Sequence, residues 1–229
     1  RDTDVKYPQA FRIPDEAALA DLLALSKDLG INLLDTAPAY GTSEERLGRL
    51  LKGQRNDWVI STKVGEHYVD GKSIHDFSAG ATRKSVEDSL RALGTDWLDI
   101  VLVHANDDDT SVVRGSPVLD TLVELRDKGY IRCIGVSSKS VAGGLAGLER
   151  SDVIMVTCNL DDLSQLPVME EAMRTNKGIM VKKALASGHA GRVRESLRFV
   201  SSQPGVATIV VGTINPDHLR ANVTALIED

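Results

Sequence analysis

Residues 15–41 read DEAALADLLALSKDLGINLLDTAPAYG, a stretch that contains a helix followed by a strand. From Asp15 to Leu29 the apolar residues recur at the spacing of an amphipathic helix, and Gly30 favours its end. Ile31–Asp35 is a short apolar run that ends in an aspartate, a pattern typical of a strand buried on both faces of a parallel sheet. A helix that leads directly into such a strand predicts an α/β protein.

Six further apolar runs repeat this strand pattern along the chain. They are Trp58–Lys63, Leu98–His104, Ile131–Ser137, Asp152–Cys158, Gly178–Lys183 and Ala207–Gly212. Among the helical segments, Thr42 and Glu45 have the spacing of a capping box, Thr82 is expected to open a helix, and Asn215-Pro216 is expected to begin the last one. Regular alternation of strands and helices requires parallel pairing through right-handed crossovers.

Two architectures satisfy this alternation, an open doubly wound sheet and a closed barrel of eight strands. Seven strands are visible, but a helix before the first of them implies one more strand upstream. No G-x-G-x-x-G motif follows a strand, which counts against a Rossmann domain. We therefore expect one domain over residues 1–229, a parallel (β/α)8 barrel of the TIM type whose first strand lies upstream of Arg1 or outside the available chain.

Composition narrows the class of protein. The net charge of -6 argues against a nucleic-acid partner, since phosphate binding requires a cationic face. No apolar run is long enough to cross a bilayer, and no secretory signal opens the chain. Cys133 and Cys158 each lie within an apolar run, which is typical of reduced packing residues. We expect a cytoplasmic protein without a membrane partner or a metal site, and the oligomeric state stays open.

Four polar residues fall at or just after the ends of three neighbouring strands. Asp35 and Tyr40 follow the first strand, Lys63 ends the second and His104 ends the third. The carboxyl ends of parallel barrel strands meet at the active-site mouth, so we expect these side chains to converge. A lysine ammonium lowers the pKa of a neighbouring tyrosine and makes its hydroxyl a usable acid, while a histidine can orient a substrate oxygen. This chemistry suits the reduction of a carbonyl, with hydride from a cofactor.

These residues and their spacing resemble the catalytic tetrad of the aldo-keto reductases. The resemblance extends to Gly129–Arg132 and to the strand Ile134–Ser137, and it covers nearly all of the chain. It implies a (β/α)8 barrel and reduction of small aldehydes or ketones with NADP(H), with NAD(H) not excluded. It also implies that Tyr40 is the general acid, that Lys63 and Asp35 tune it, and that His104 positions the carbonyl.

The same resemblance implies the residues that bind the cofactor. The family commonly has Ser-Asn after its fifth strand, Gln in the next strand and an aromatic residue on the seventh. Here Ser137-Ser138, Met155 and Lys182 occupy those places. After the last strand, the residues expected to contact the cofactor are Gly212, Thr213, His218 and Asn222. The helix that begins at Asn215 either holds a phosphate through its free N–H groups or is a plain proline-started helix.

Two other functions remain open from the residues alone. Lys63 could form a Schiff base in a lyase, although pairing with Asp35 would keep its amine charged. The departures at Ser138, Met155 and Lys182 also fit a cofactor-binding sensor or subunit with little turnover. The loops at 66–77 and 106–117 are expected to determine the substrate, which the sequence does not identify.

Overall fold

The computed structural model describes residues 12–227, and a curled parallel sheet is its main feature. The strands in chain order are β1 (Leu33–Asp35), β2 (Val59–Val64), β3 (Glu66–Val69), β4 (Lys72–His75), β5 (Leu98–His104), β6 (Ile131–Ser137), β7 (Val153–Thr157), β8 (Gly178–Lys182) and β9 (Val206–Ile209). Seven of them form the sheet in the order β1-β2-β5-β6-β7-β8-β9, and all neighbours are parallel. The remaining two, β3 and β4, form an antiparallel hairpin.

Helices follow most of the strands and cover the outer face of the sheet. In chain order they are α1 (Glu16–Asp28), α2 (Ser43–Leu50), α3 (Ala79–Leu93), α4 (Asp109–Gly115), α5 (Val118–Asp127), α6 (Val141–Leu148), α7 (Leu166–Arg174), α8 (Val193–Ser201) and α9 (Pro216–Ile227). Helices α1 and α9 lie against each other although they flank opposite edges of the sheet, so the sheet is curled into a half-barrel. Among residues 12–227, no helix is both long and apolar enough to span a bilayer.

Apolar side chains pack in two layers, one on each face of the sheet. The larger layer lies between the sheet and the helices and includes Ile60, Val101 and Ile154, all inaccessible to solvent. The smaller layer lies inside the half-barrel, around Leu102 and Met180. Because side chains alternate along a strand, His104 and Lys182, which lie two positions after Leu102 and Met180, point to the same interior face. The interior apolar layer is therefore the floor beneath the residues at the carboxyl ends of the strands.

The predicted fold class and all seven predicted strands are confirmed, and the additional strand expected upstream of Arg1 lies outside the described residues. Two local predictions were wrong. Helix α3 begins at Ala79 rather than at Thr82, because the Ser78 hydroxyl accepts a hydrogen bond from Ala81 N at 3.3 Å and caps the helix earlier. The side chain of Thr42 makes no capping hydrogen bond. The segments 66–77 and 106–117, which we expect to determine the substrate, contain the β3–β4 hairpin and helix α4, respectively.

Candidate active site

A buried ion pair joins the first two strands at the mouth of the half-barrel. Lys63 Nζ donates to Asp35 Oδ2 at 2.6 Å and to the carbonyl oxygen of Thr36 at 2.9 Å. The second oxygen of Asp35 accepts from Ser61 Oγ at 2.8 Å. Ser61 pairs with Asp35 in the parallel register, and Lys63 is two residues further along the same strand. The register thus places the lysine on the interior face, where its side chain is 2% exposed and held by the carboxylate.

Tyr40 and His104 complete the predicted group of four. A short 3₁₀ helix, Pro38–Tyr40, follows β1 and places the tyrosine ring 4.9 Å from Lys63 Nζ, measured to the ring centroid. The His104 ring lies edge-on to the Tyr40 ring, with centroids 6.1 Å apart and planes at 89°. The structure therefore brings together all four residues that the sequence analysis expected at the mouth. The group combines a phenol, a paired ammonium and an imidazole, which can donate and accept protons at one place.

Glu66 is a fifth ionisable residue of this group, and the sequence analysis missed it. Its Oε2 lies 2.7 Å from His104 Nδ1, and its Oε1 accepts from Ser73 Oγ at 2.6 Å. The chain leaves β2 through Gly65, whose φ of +97° and closeness to the Phe77 ring leave no room for a side chain. Glu66 then starts a hairpin that packs against the 3₁₀ helix of Tyr40.

The cofactor residues predicted on β6 and β8 also meet at the mouth. Lys182 Nζ donates to Ser137 Oγ at 2.8 Å and to the carbonyl oxygen of Ser138 at 2.7 Å, and so reaches across β7. Ser137 pairs with His104 in the register of β5 and β6, which places this cluster beside the catalytic candidates. The Ser138 side chain is fully buried and its hydroxyl accepts from Gln165 Nε2 at 3.0 Å. Only the backbone of Ser138 is thus directed toward Lys182.

Lys182 differs electrostatically from Lys63. Burial, together with the positive charges of Lys183, Lys63 and Lys139, lowers the pKa of Lys182 to about 7. Its hydrogen-bond partners at Ser137 and Ser138 are neutral oxygen atoms rather than a carboxylate. The mouth thus contains one lysine held in an ion pair and a second whose proton is exchangeable near neutral pH.

The remaining cofactor candidates form a separate group after β9. Thr213 Oγ1 accepts from Asn215 N at 3.1 Å, and Asn215 Oδ1 accepts from Asp217 N at 2.8 Å at the start of α9. This confirms the predicted start of the last helix at Asn215-Pro216. Along α9, His218 is exposed and Asn222, four residues later, is buried. The four predicted residues, Gly212, Thr213, His218 and Asn222, therefore lie at one end of the sheet beyond the Lys182 cluster.

Two buried polar residues that the sequence analysis did not single out anchor the loop after β6. Asp109 is 1% exposed and accepts from the backbone nitrogens of Lys139 and Ser140 at 2.7 and 2.9 Å. Gln165 Oε1 accepts from Thr157 N at 2.6 Å, while its Nε2 reaches the Ser138 hydroxyl. The loop that carries the serines of the mouth is thus fixed from both sides. Within residues 12–227, no group of three or more His, Cys, Asp or Glu side chains could hold a metal ion.

Comparisons with known proteins agree with the fold. A crystal structure of an aldo-keto reductase homologue from Pseudomonas aeruginosa superposes with a TM-score of 0.90 at 54% identity, covering 93% of this chain and 83% of that one. The holo form of an aldo-keto reductase from Bacillus halodurans superposes with a TM-score of 0.82 at 27% identity, covering 94% and 83%. L-galactose dehydrogenase from Arabidopsis thaliana is 31% identical over 172 residues, 70% of this chain and 53% of that protein.

The matched part of the curated relatives varies in length. It spans 78% of one relative, an oxidoreductase from Bacillus subtilis, but only 39 to 53% of three others. The family model described as the aldo/keto reductase family matches residues 7–196, which is most of the chain and includes all four predicted catalytic residues. The chain therefore belongs to the aldo/keto reductase family.

Proposed function

We propose that this protein reduces aldehydes or ketones to alcohols by hydride transfer from NADPH, with Tyr40 as the general acid. The observation that carries the proposal is the position of the Tyr40 ring beside both the paired ammonium of Lys63 and the imidazole of His104. A phenol in that position can give its proton to a carbonyl oxygen, because the neighbouring ammonium stabilises the phenolate that remains.

The other residues of the group prepare this proton transfer. Asp35 and the Thr36 carbonyl hold the Lys63 ammonium in one place, so its charge stays beside the Tyr40 ring. His104 orients the carbonyl oxygen by a hydrogen bond and thereby aligns the carbon with the hydride donor. The apolar floor of Leu102 and Met180 beneath them limits water at the reacting carbon.

The residues along the rest of the mouth fit a nicotinamide dinucleotide. When bound, NADPH supplies the hydride that no protein side chain can provide. Ser137 and Lys182 offer a hydroxyl and an amine beside His104, a set of donors suited to the amide of a nicotinamide ring. At the far end, the space beside Gly212 is free of other described atoms within 4 Å, and the N-terminus of α9 can bind a phosphate.

We assign the far end of the cofactor to the residues that follow β9. His218 is exposed within the first turns of α9, next to Thr213 and Asn222, and could donate a ring N–H to the additional phosphate of NADPH. Titration of the protein with NADPH and NADH, followed by the fluorescence of the reduced nicotinamide, tests this assignment. We expect tighter binding of NADPH. Equal affinity for the two cofactors would contradict the role of His218.

The central test compares the wild type with Tyr40→Phe on a panel of aldehydes and ketones. Removal of the hydroxyl should lower kcat by about 10²- to 10⁴-fold, the usual contribution of a general acid, and leave the affinity for NADPH unchanged. Tyr130→Phe removes the same atom from an exposed tyrosine at the opposite end of β6 and is the matched control. Full turnover by Tyr40→Phe would exclude Tyr40 as the acid. NADPH binding by the wild type without turnover on any substrate would favour the sensor function.

The geometry of Lys63 argues against the Schiff-base lyase. An amine must lose its proton before it attacks a carbonyl carbon, and a carboxylate at 2.6 Å stabilises the protonated form. Borohydride reduction in the presence of a substrate should therefore leave Lys63 unmodified, as measured by peptide mass. A covalent adduct on Lys63 would favour the lyase over the reductase.

A further inference from the structure

Glu66 is in direct contact with His104, and the predicted group of four does not include it. Its carboxylate is 6% exposed, and its two oxygens lie 2.7 Å from His104 Nδ1 and 2.6 Å from Ser73 Oγ. An ionised carboxylate only accepts hydrogen bonds. A carboxylate oxygen 2.7 Å from Nδ1 favours a proton on that nitrogen, because an unprotonated nitrogen would place its lone pair against a negatively charged oxygen.

The proton on Nδ1 restricts what the other ring nitrogen can do. A neutral imidazole has one N–H, and with that hydrogen on Nδ1, Nε2 has only a lone pair. A carbonyl oxygen is itself an acceptor, so a neutral His104 in this tautomer could not bind it by a hydrogen bond. His104 can donate from Nε2 only as the doubly protonated imidazolium. The carboxylate of Glu66 stabilises that cation by its opposite charge.

We propose that Glu66 is a positioning residue that keeps His104 as an imidazolium, so that Nε2–H is a charged donor to the carbonyl oxygen of the substrate. The inference rests on the proposed reductase function. His104 keeps its proton throughout, and the proton that is transferred comes from Tyr40. A charged donor binds a developing negative charge more strongly than a neutral one, so the pairing would lower the barrier of the reaction.

The hairpin gives Glu66 a fixed position relative to both rings. Asp70 and Gly71 form its turn with φ angles of +49° and +79°, as a tight two-residue β-hairpin turn requires. β3 packs against the 3₁₀ helix that carries Tyr40, so the hairpin, the tyrosine and the histidine form one packed unit. The packing of the hairpin thus fixes the contact between Glu66 and His104.

The other titratable groups around His104 do not prevent it from carrying a positive charge. Apart from Glu66, they are Tyr40, Lys63 with its partner Asp35, His75 opposite Glu66 on β4, and Lys182, which reaches Ser137 beside His104. The charge of Lys63 is balanced by Asp35. Burial lowers the pKa of Lys182 to about 7, which reduces its positive charge near neutral pH. The negative charge of Glu66 is then available to balance the imidazolium.

The test follows the ring nitrogens of His104 directly, by ¹⁵N NMR as a function of pH, in the wild type and in Glu66→Gln. The isosteric amide keeps an acceptor for Ser73 but removes the charge. We expect the midpoint of the His104 titration to move down by at least about one pH unit, since an opposite charge in contact shifts a group by 1–3 units. Asp70→Asn removes the same charge from the exposed tip of the same hairpin and should leave the midpoint unchanged. The His104→Gln spectrum identifies the signal.

Kinetics separate this inference from the proposed function. In Glu66→Gln the alkaline limb of the pH profile of kcat/KM should move down with the NMR midpoint, with a loss of about tenfold at pH values well above both midpoints for a shift of one unit. An unchanged His104 titration, or an unchanged pH profile despite a shifted titration, would overturn the role of Glu66. A shifted titration in a protein that reduces no carbonyl substrate would contradict the proposed function and still support the Glu66–His104 pair.

Discussion

The two ends of the half-barrel each bury an aspartate beside cations and an aromatic ring, yet they differ in how the charges are satisfied. At the amino end, Asp99 accepts from Arg55 at 2.6 Å, Arg132 at 2.8 Å, Trp97 Nε1 at 3.3 Å and Ile60 N at 3.0 Å. Both guanidinium groups also lie over the Trp97 ring, 4.7 and 4.9 Å from its centroid. This cluster ties the starts of β2, β5 and β6 together.

At the carboxyl end, Asp35 accepts from Lys63 and Ser61, and the cation lies 4.9 Å from the Tyr40 ring centroid. Arginine stays charged at all accessible pH values, whereas lysine, tyrosine and histidine exchange protons. The amino-end cluster is therefore suited to hold strands together, and the carboxyl-end cluster is suited to move a proton. The difference teaches that the type of cation, more than the presence of an ion pair, separates a structural cluster from a catalytic one.

The largest expected effect is a loss of kcat on removal of the lysine of the carboxyl-end cluster. Lys63→Met removes the ammonium beside Tyr40, so the phenolate left after proton transfer loses its stabilising charge. We expect kcat to fall by about 10²- to 10⁴-fold. Arg55→Met, which removes a cation from the opposite cluster, should leave kcat per folded molecule within about twofold. Steady-state assays of both variants, normalised to the folded fraction from circular dichroism, measure the contrast. Equal losses of kcat in the two variants would contradict the division of roles.

The second prediction concerns the amino-end cluster, where a substitution should lower stability and leave kcat unchanged. Asp99→Ala leaves Arg55, which is largely buried, without its carboxylate. Removing one partner of a buried ion pair typically costs about 3 kcal/mol of the free energy of unfolding or more. For a chain of this size that corresponds to a fall in Tm of about 6–12 °C. Differential scanning calorimetry measures it. The folded variant should keep the kcat of the wild type, and a stable variant with reduced kcat would show that the amino-end cluster also acts on the reaction.

The sequence was sufficient to predict where the group of four would meet. Asp35 and His104 end their strands and Lys63 is the next-to-last residue of β2, and parallel pairing places the ends of neighbouring strands together whatever the details of packing. Tyr40 follows because Pro38 starts a single turn after β1. For these residues, strand order and side-chain alternation determine the position.

Contacts that depend on how a loop folds back were not predictable in the same way. Asp70-Gly71 between short alternating segments was a hairpin signal present in the sequence, and it was overlooked. Even with the hairpin identified, the contact of Glu66 with His104 depends on how the hairpin packs on the 3₁₀ helix. The hydrogen bond from Lys182 to Ser137 joins residues 45 positions apart across an intervening strand. Strand order allows such a contact, but only the packing of the interior side chains decides it.

The smallest expected effect is a pH dependence of stability that distinguishes the two lysines of the mouth. Burial lowers the pKa of Lys182 from 10.5 to about 7, whereas Lys63 has a carboxylate partner. Between about pH 7 and 10.5 the unfolded chain binds more protons at this position than the folded chain, so this group makes the free energy of unfolding rise with pH across that window. Below pH 7 both states are protonated and the cost of burying the charge is fully present.

Lys182→Met removes this dependence, because methionine carries no charge in either state. The Tm of Lys182→Met relative to the wild type should therefore be highest near pH 7 and should decline as the pH is raised toward 10. Lys84→Met, at an exposed lysine of α3, is the control and should show a nearly constant difference over the same range. Thermal melts of the three proteins at unit pH steps measure both differences. A Lys182→Met difference that does not change with pH would mean that Lys182 remains charged in the folded protein and that the two lysines of the mouth are electrostatically alike.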